Sequence, residues 1–393
     1  MDQLSTFYRP TWADISLDAL YSNIEEVRKG LKPGTRILAS VKANAYGHGV
    51  VEIARAVERY GLDYLGVAFL DEALRLREEG IKLPILVLGF VAPEHLELAQ
   101  QHNVTVAMYR EDQLQAASRL DVDQYAPLKV HIKVDTGMGR LGVLGKDEAI
   151  NYIQRALHEE SVDVEGIFTH YSKADEADKA YTQLQYERFH AIEQHVRAQG
   201  WDIPIIHAAN SAGSMDTPEW SGDMIRLGIA MYGLYPSEEV SKRIKLQPVL
   251  SLKTKLVHVK QVPEHWGISY GARYYSDADE WIGTLPIGYA DGFSRMLTGK
   301  AEVLLKGQRI PVVGSICMDQ CMVSLNKLKQ YEQSDLLDEE VVLIGQQGDE
   351  SITTNQLADQ LGTINYELTC MLASRVPRRY IENNQIIAVS NGA

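Results

Sequence analysis

The sequence predicts an α/β fold, with an N-terminal (β/α)8 TIM-like barrel followed by a C-terminal mainly β domain. Two patterns carry this prediction. From about residue 36 to residue 230, short apolar runs alternate with amphipathic segments, and several runs are nearly continuous, as in parallel strands covered on both faces. After about residue 240, the period of alternation becomes two, and Gly-rich turns separate the runs. The predicted domains are residues 1–240 and 241–393, since 393 residues exceed one ordinary core.

Eight apolar runs are the candidate barrel strands. They span residues 36–41, 64–69, 84–88, 104–108, 128–134, 164–169, 204–208 and 224–230. Helical patterns separate most of them, at 50–60, 72–79, 93–102 and 147–157. A doubly wound open sheet is the alternative, but no G-x-G-x-x-G fingerprint follows the first strand, so the barrel is favoured.

The second half of the chain has the pattern of antiparallel strands. Residues 249–262 alternate as one long, half-exposed strand. Further strands are predicted at 281–285, 301–305, 310–313, 321–325 and 341–344, with late helices at 354–361 and 366–374. The segment 11–17 alternates in the same way, which leaves open whether residues 1–15 join the β domain.

Composition argues against several functional classes. A net charge of −14, with no basic stripe, disfavours nucleic acid as a partner. The N-terminus has no basic region before an apolar run, and no apolar stretch reaches membrane-spanning length, so we expect a cytoplasmic protein without a membrane partner. Cys317, Cys321 and Cys370 form no C-x-x-C pair and are expected to be reduced, buried thiols. No H-E-x-x-H or similar spacing suggests a metal.

Lys42 stands out because it closes the first predicted strand and precedes a small-residue loop that contains Tyr46 and His48. Desolvation at such a position lowers the pKa of a lysine and favours the neutral amine that Schiff-base chemistry uses. An isolated lysine at a strand end is more often a side chain with its amine in water. The role of Lys42 therefore has to be judged from the other polar residues of the predicted barrel.

Other unusual polar residues follow later barrel strands, where barrel enzymes collect their catalytic groups. Arg140 ends a Gly-rich loop after the fifth strand, His170 follows the sixth, and Arg226 lies within the eighth. Asn210 and Ser211 follow the seventh. Taken alone, Arg140 could be a solvated loop residue, His170 a core histidine and Arg226 half of a structural ion pair. Their shared location favours a functional site.

Seven segments, in order along nearly the whole chain, resemble the alanine racemases. They are residues 41–49, 135–142, 226–233, 269–272, 288–292, 317–320 and 364–367. The first, Val-Lys-Ala-Asn-Ala-Tyr-Gly-His-Gly, is close to a signature of that family. The resemblance implies a barrel that binds pyridoxal 5′-phosphate (PLP), a C-terminal β domain and a homodimer with shared active sites. It also implies interconversion of L- and D-alanine, which supplies D-alanine for cell-wall peptidoglycan.

The resemblance further implies a role for each matching residue. Lys42 would hold PLP and remove the α-proton of the D-isomer, while Tyr270 of the partner subunit would serve the L-isomer. The other implied cofactor contacts are Tyr46, His170, Asn210, Ser211, Arg226, Gly228, Ile229 and Tyr366. The substrate carboxylate would bind Arg140 and the backbone of Met318. Lys133 occupies the position of a carbamylated lysine. A narrow substrate passage would be lined by Asp175, Tyr289, Arg295 and Ile364.

Two rival functions fit the sequence less well. Non-catalytic PLP carriers resemble only the first domain, and the related PLP decarboxylases carry a Gly-rich phosphate loop and a catalytic cysteine that we do not find here. A broader racemase, acting on serine or another amino acid, stays open. A pocket that admits a hydroxymethyl group differs little from one that admits a methyl group.

Overall fold

The structure, a computed structural model, describes residues 7–391, so residues 1–6 of the predicted N-terminal segment and residues 392–393 of the second domain lie outside it. The described residues form two compact units. The barrel unit comprises Leu20–Ala45 and Ile53–Gln247. The β unit comprises the residues before Leu20, the short segment Tyr46–Glu52 and the residues from Pro248 onward. The predicted division after residue 240 stays a prediction about domain boundaries.

Eight parallel strands form the barrel, each within or overlapping a predicted run, and the short strand Val143–Leu144 pairs with the fifth of them. In chain order, the first to eighth barrel strands are Arg36–Ser40, Tyr64–Val67, Ile85–Val87, Thr105–Met108, Leu128–Asp135, Val162–Phe168, Ile205–His207 and Met224–Leu227. Successive strands are neighbours, and the eighth pairs in parallel with the first. The Arg226 amide donates to the Ala209 carbonyl at 3.0 Å, which brings the eighth strand beside the end of the seventh. The barrel is therefore nearly closed, as the sequence predicted.

Helices follow most of the barrel strands. The helices of the first half of the chain are Leu17–Lys29, Val50–Tyr60, Leu70–Glu78, Leu96–Gln101, Glu111–Ala117, Lys146–Leu157, Ala180–Ala198 and Ser211–Asp216. The predicted helix at 93–102 instead begins with a 3₁₀ turn, Pro93–His95, since proline favours the start of a tight turn. Between residues 7 and 391, no helix is long and apolar enough to cross a membrane.

The β unit is built on an 11-stranded sheet and a separate two-stranded pair. Its strands are Thr11–Ser16, Leu250–Lys255, His258–Val262, Gly267–Ile268, Tyr274–Tyr275, Glu280–Leu285, Glu302–Leu305, Gln308–Val313, Cys321–Ser324, Glu340–Gln347, Glu350–Ile352, Arg378–Glu382 and Gln385–Ser390. Its helices are Gln333–Leu336, Thr354–Leu361 and Asn365–Cys370. The N-terminal strand Thr11–Ser16 lies inside the large sheet, between Leu250–Lys255 and Arg378–Glu382.

The prediction of one long strand at 249–262 was wrong. The structure has two strands, Leu250–Lys255 and His258–Val262. They pair with different neighbours, since the first lies beside Glu340–Gln347 and the second beside Glu280–Leu285. The alternation of apolar and polar residues continues almost unbroken from residue 249 to residue 262. The sequence therefore gives no sign that the strand ends and that the next one pairs with a different neighbour.

The expectation of three buried cysteines was also wrong. Cys321 is buried in a strand, but Cys317 is only half-buried and Cys370 is exposed at the end of the helix Asn365–Cys370. Apolar neighbours in the sequence do not show which face of a short helix meets solvent. The three cysteines form no disulfide within the described residues.

Candidate active site

Lys42 follows the first barrel strand at the start of an unusual stretch of backbone. Ala43, Asn44 and Ala45 have φ values of 53°, 54° and 53°, in the left-handed region that non-glycine residues rarely adopt. Surrounding contacts hold this backbone: the Ala43 amide donates to Glu72 Oε1 at 2.7 Å, and the Ala45 amide donates to the Val41 carbonyl at 2.8 Å. Such conformations persist only where the surroundings impose them, and they cluster at functional sites.

Lys133 lies in the fifth barrel strand, buried, with its Nζ donating to the Leu88 carbonyl at 3.2 Å. Burial lowers the pKa of Lys133 to about 7, and the positive charges of Arg140, Arg226 and Lys42 act in the same direction. Four cationic side chains from three barrel strands and the loops that follow them therefore influence one another. A region of this charge suits an anionic ligand.

The loop that carries Arg140 is organised by one carboxylate. Asp135 accepts hydrogen bonds from the amides of Gly137 and Gly139, at 2.9 and 3.1 Å, and from the amide of Arg140 at 3.1 Å. Gly142 closes the loop with a φ of 135°, where a Cβ would lie 2.5 Å from the Asp135 nitrogen. The Arg140 side chain is exposed, so the loop presents a guanidinium group at the end of the barrel.

Arg226 is buried, and its guanidinium binds two imidazoles and two backbone carbonyls. It donates to His207 Nδ1 at 2.9 Å and to His170 Nδ1 at 3.0 Å, as well as to the Thr169 and Ala208 carbonyls at 2.8 and 2.6 Å. A guanidinium only donates, so both Nδ1 atoms must accept and neither imidazole is protonated there. Burial and the Arg226 charge accordingly lower the pKa of both histidines well below the usual range.

The hydrogen bonds that begin at Arg226 continue from His207 to His131 and then toward Glu165, and each group directs a proton to the next one. Because His207 accepts at Nδ1, its Nε2 carries the proton and donates to His131 Nδ1, 2.8 Å away. The proton of His131 then lies on Nε2, which faces Glu165 Oε2 at 3.5 Å. Burial alone would raise the pKa of Glu165, but hydrogen bonds with His131 and Tyr64 lower it to about 2. An ionised carboxylate thus ends a chain of two neutral imidazoles that begins at Arg226.

Sequence reasoning missed His131, His207 and Glu165. A signal was present in the fifth strand, where His131, Lys133 and Asp135 stand at alternate positions of an apolar run. Alternate residues of a strand share one face, so polar groups with this spacing indicate a common polar environment. Glu165 carries the same signal, because Asp163 stands two positions before it in the sixth strand, whereas His207 stands singly in its strand and carries none.

The seventh and eighth strands bring a hydroxyl group and backbone amides together. Ser211 Oγ accepts hydrogen bonds from the amides of Gly228 and Ala230, at 2.9 and 3.4 Å, beside the 3₁₀ turn Ile229–Tyr232. Since this oxygen already accepts, the Ser211 hydroxyl hydrogen is the group that can be donated to an anion. Asn210 instead caps the helix Ser211–Asp216, because its side chain accepts from the Gly213 amide at 3.0 Å. Its predicted cofactor contact stays a prediction.

In the β unit, the segment 315–318 contacts several of the predicted site residues. The Tyr289 amide donates to the Cys317 carbonyl at 3.0 Å, and the Arg295 guanidinium donates to the Ile316 carbonyl at 3.2 Å. Gly288 packs so closely against this segment that a Cβ would lie 2.3 Å from the Cys317 carbonyl oxygen. The residues gathered here are Tyr270, Tyr289, Arg295 and Met318.

Two further tyrosines of the predicted site also lie together in the β unit. The rings of Tyr46 and Tyr366 are 6.2 Å apart, centre to centre. The Gly47 backbone beside them accepts hydrogen bonds from the buried Arg378 guanidinium, at 3.2 and 3.0 Å.

The remaining predicted residues lie in separate units. Asp175 belongs to the barrel unit, where its carbonyl accepts from the Ser237 hydroxyl at 2.5 Å. Ile364 is 61% exposed in the β unit and precedes the helix Asn365–Cys370. Their shared role in a substrate passage stays a prediction.

Comparison with known proteins gives the family. The models for the N-terminal and C-terminal domains of alanine racemase match residues 15–236 and 249–380. An alanine racemase of Methanococcus maripaludis is 44% identical over 373 residues, which cover 95% of this chain and 99% of that protein. The solved alanine racemase of Clostridium difficile 630 has a TM-score of 0.92 and 40% identity, and the match covers 98% of this chain and 100% of that one. The alanine racemase of Bacillus anthracis, solved with bound L-Ala-P, has a TM-score of 0.91 and 40% identity over 98% of this chain and 99% of that one. These matches confirm the resemblance carried by the seven sequence segments, and the chain belongs to the alanine racemase family of enzymes.

Proposed function

We propose that this protein interconverts L- and D-alanine as a cytoplasmic, PLP-dependent homodimer, and that it supplies D-alanine for peptidoglycan. One observation carries the proposal: Lys42 shares a cationic region of the barrel with Lys133, Arg140 and Arg226, where the His170 imidazole is kept neutral. The reaction needs a lysine amine, a site for an anionic substrate and a controlled proton path. This region offers the residues for all three.

The residues present fit PLP. Its phosphate would be held by the Ser211 hydroxyl, by backbone amides near Gly228 and Ile229, and by the hydroxyls of Tyr46 and Tyr366, while Lys42 would bond to its carbonyl carbon. The positive charges of Arg140 and Arg226 favour such an anion. When bound, PLP supplies the electron-withdrawing system that makes the substrate α-proton removable.

The chain's own residues then move the proton. Lys42 Nζ accepts the α-proton of D-alanine on one face of the substrate, and the Tyr270 oxygen of the partner subunit accepts that of L-alanine on the other. A tyrosine is a weak base at neutral pH, so its oxyanion needs a hydrogen-bond donor. His170 fits this need, because its Nδ1 accepts from Arg226 and the imidazole proton is therefore on Nε2.

Arg226 limits side reactions. Burial lowers its pKa to about 9, so it remains a cation at neutral pH. If Arg226 meets the pyridine nitrogen of PLP, its guanidinium would discourage protonation of that nitrogen and would weaken the electron withdrawal that transamination and decarboxylation require. The hydrogen bonds from Arg226 to His207 and from His207 to His131 fix the tautomer of His207, in which Nδ1 accepts from Arg226.

Substrate binding and size selection use the remaining residues. Arg140 fits the substrate carboxylate, assisted by the backbone of Met318 of the partner subunit. A passage lined by Asp175, Tyr289, Arg295 and Ile364 would favour a small side chain, hence alanine.

Exposed side chains of the β unit support the homodimer. Tyr270 is 71% exposed, Met318 53% and Ile364 61%, although two of these side chains are apolar and the third is aromatic. Large apolar side chains that are this exposed are expected on a surface that meets another protein. A second copy of this chain would cover them and receive Tyr270 in its own site.

A chirality assay tests the reaction. The circular dichroism of L-alanine should decay to zero with the PLP-loaded enzyme, since the two enantiomers have equal free energies. Free PLP without protein is the control for slow uncatalysed racemisation. A persistent signal would rule out the proposed reaction. A second run with L-serine decides whether the broader substrate range applies.

Lys133 should carry a carbamate. Its pKa of about 7 leaves much of the amine neutral at physiological pH, and the neutral amine is the form that reacts with CO2. At constant dissolved CO2, the adduct should increase as pH rises through about 7. Carbon-13 NMR of enzyme equilibrated with labelled CO2 should show a carbamate signal that Lys133→Ala removes. Lys129→Ala, in the same strand, is the matched control, and loss of the signal in both variants would contradict the assignment.

A further inference from the structure

The loop that carries Tyr270 has a strained backbone beside the tyrosine. Ser269 has a φ of 63° and a ψ of −176°, and Ala272 has a φ of 41°. These conformations favour glycine, so a serine held there requires surrounding contacts that impose it. Strain of this kind next to a functional residue raises the question of what holds Tyr270.

Two serine hydroxyls fix the backbone at Tyr270 through hydrogen bonds. Ser269 Oγ donates to the Ser315 carbonyl at 2.6 Å, and Ser315 Oγ donates back to the Tyr270 carbonyl at 2.8 Å. Ser315 is fully buried, whereas Tyr270 is 71% exposed. The reciprocal pair therefore ties the backbone of an exposed side chain to a fixed, buried point.

Other contacts of the loop are a tether at its base, close packing at one side, a 3.3 Å approach of Ser269 Oγ to Cys317 Sγ, and a hydrogen bond from the Ala272 amide to the Ser269 carbonyl at 3.1 Å. Gly267–Ile268 pairs with Tyr274–Tyr275, which closes the base. Gly314 packs against the loop so closely that a Cβ would lie 3.0 Å from the Ser269 Cβ. Among these contacts, the serine pair is the one that reaches the Tyr270 backbone directly.

We propose that Ser269 and Ser315 are positioning residues for Tyr270, a role that rests on the proposed function of Tyr270 as the base for L-alanine. Proton transfer requires the phenolic oxygen within hydrogen-bond reach of the α-proton, and small displacements of a catalytic group slow the reaction strongly. Without the Ser315 hydroxyl, the Tyr270 carbonyl loses its buried donor and the strained loop can relax. Loss of this hydroxyl should slow proton transfer by Tyr270 and leave proton transfer by Lys42 unaffected.

Net rates cannot show this asymmetry. L- and D-alanine have equal free energies, so kcat/KM must be the same in both directions for every variant. Exchange of the α-hydrogen with D2O separates the two halves. Starting from D-alanine, Lys42 removes the proton and can return deuterium to the same face, whereas completing racemisation requires Tyr270.

The experiment compares Ser315→Ala with Ser161→Ala in D2O. Ser161 is a buried serine of the barrel unit, and its hydroxyl also donates to a backbone carbonyl, that of Ala117, at 2.7 Å. In Ser315→Ala, racemisation should slow roughly tenfold, and the ratio of α-deuteration to racemisation starting from D-alanine should rise by about the same factor. Starting from L-alanine, the ratio should not rise. Ser161→Ala should leave both ratios at the wild-type values.

A second readout uses the protein without cofactor. Hydrogen–deuterium exchange of the peptide covering residues 267–275 should accelerate in Ser315→Ala and stay unchanged in Ser161→Ala. Ser269→Gly, at a half-buried position, should give the same two results and serves if Ser315→Ala does not fold.

The outcomes separate this inference from the proposed function. If Tyr270→Phe raises the ratio from D-alanine and neither serine variant does, the positioning role is wrong and the two-base function stands. If Tyr270→Phe also leaves the ratio unchanged, the role of Tyr270 as a base is wrong, and the positioning role fails with it.

Discussion

Lys42→Ala should abolish racemisation and leave PLP without its covalent attachment. Loss of proton transfer alone slows an enzyme by roughly 10²- to 10⁴-fold, and the loss of the lysine amine also removes the group that holds the cofactor. The visible absorbance of protein-bound PLP should disappear after dialysis, and the circular dichroism of L-alanine should stay constant. Lys82→Ala, at an exposed position outside the site, is the control and should match the wild type.

Retention of the protein-bound absorbance in Lys42→Ala would place the cofactor lysine elsewhere. Lys133 would then be the first candidate, since it is the other barrel lysine near Arg140 and Arg226 and has a pKa lowered to about 7. The double variant would decide between the two lysines.

Tyr270→Phe should keep PLP bound but slow racemisation by roughly 10²- to 10⁴-fold, because the base for L-alanine is missing while Lys42 and the cofactor contacts remain. In D2O, the variant should deuterate D-alanine much faster than it converts it to L-alanine. Proton NMR with chiral analysis of the recovered alanine measures both rates. Tyr275→Phe, which removes an exposed hydroxyl from the same loop, should behave as the wild type.

If Tyr270→Phe deuterates L-alanine faster than it racemises it, the two bases are assigned to the wrong faces. Equal slowing of deuteration and racemisation from D-alanine would indicate that Tyr270 acts before proton removal, in binding rather than as a base.

The barrel could be predicted from the sequence because its strands are apolar on both faces and its helices are amphipathic. Both patterns depend on residues close together in the chain, such as the first strand, Arg36–Ser40, and the helix Val50–Tyr60. The left-handed backbone of Ala43, Asn44 and Ala45 could not be predicted in this way. It arises from contacts such as the one with Glu72, because neither Ala43 nor Ala45 favours it intrinsically.

The candidate site was predicted in part, and the missing part consists of supporting residues. Lys42, Arg140 and His170 follow barrel strands and Arg226 lies near the carboxyl end of one, where barrel enzymes collect catalytic groups. His207, which sets the tautomer beside Arg226, occurs singly in an apolar strand. Its role depends on the geometry of three barrel strands, which the sequence pattern does not contain.

The contact that positions Tyr270 could not be predicted from the sequence either, because its partner is far away in the chain. Ser315 lies 45 residues from Tyr270 in the chain, and its hydroxyl meets the Tyr270 carbonyl only after the β unit has folded. The break near Val257 is comparable, since it reflects a change of strand partner. Sequence patterns therefore predicted the helices, the strands and the candidate catalytic residues better than the contacts that position those residues.

The central claim is that Lys42 of one subunit and Tyr270 of its partner form one active site. Co-expression of Lys42→Ala and Tyr270→Phe chains with different affinity tags allows the heterodimer to be purified. If the sites are shared, one site of this heterodimer has both residues intact and the other has neither, so its racemase activity should be about half that of the wild-type dimer. Both parent homodimers should be inactive in the same assay. A heterodimer as inactive as its parents would contradict the claim, because it would mean that Lys42 and Tyr270 act within the same chain.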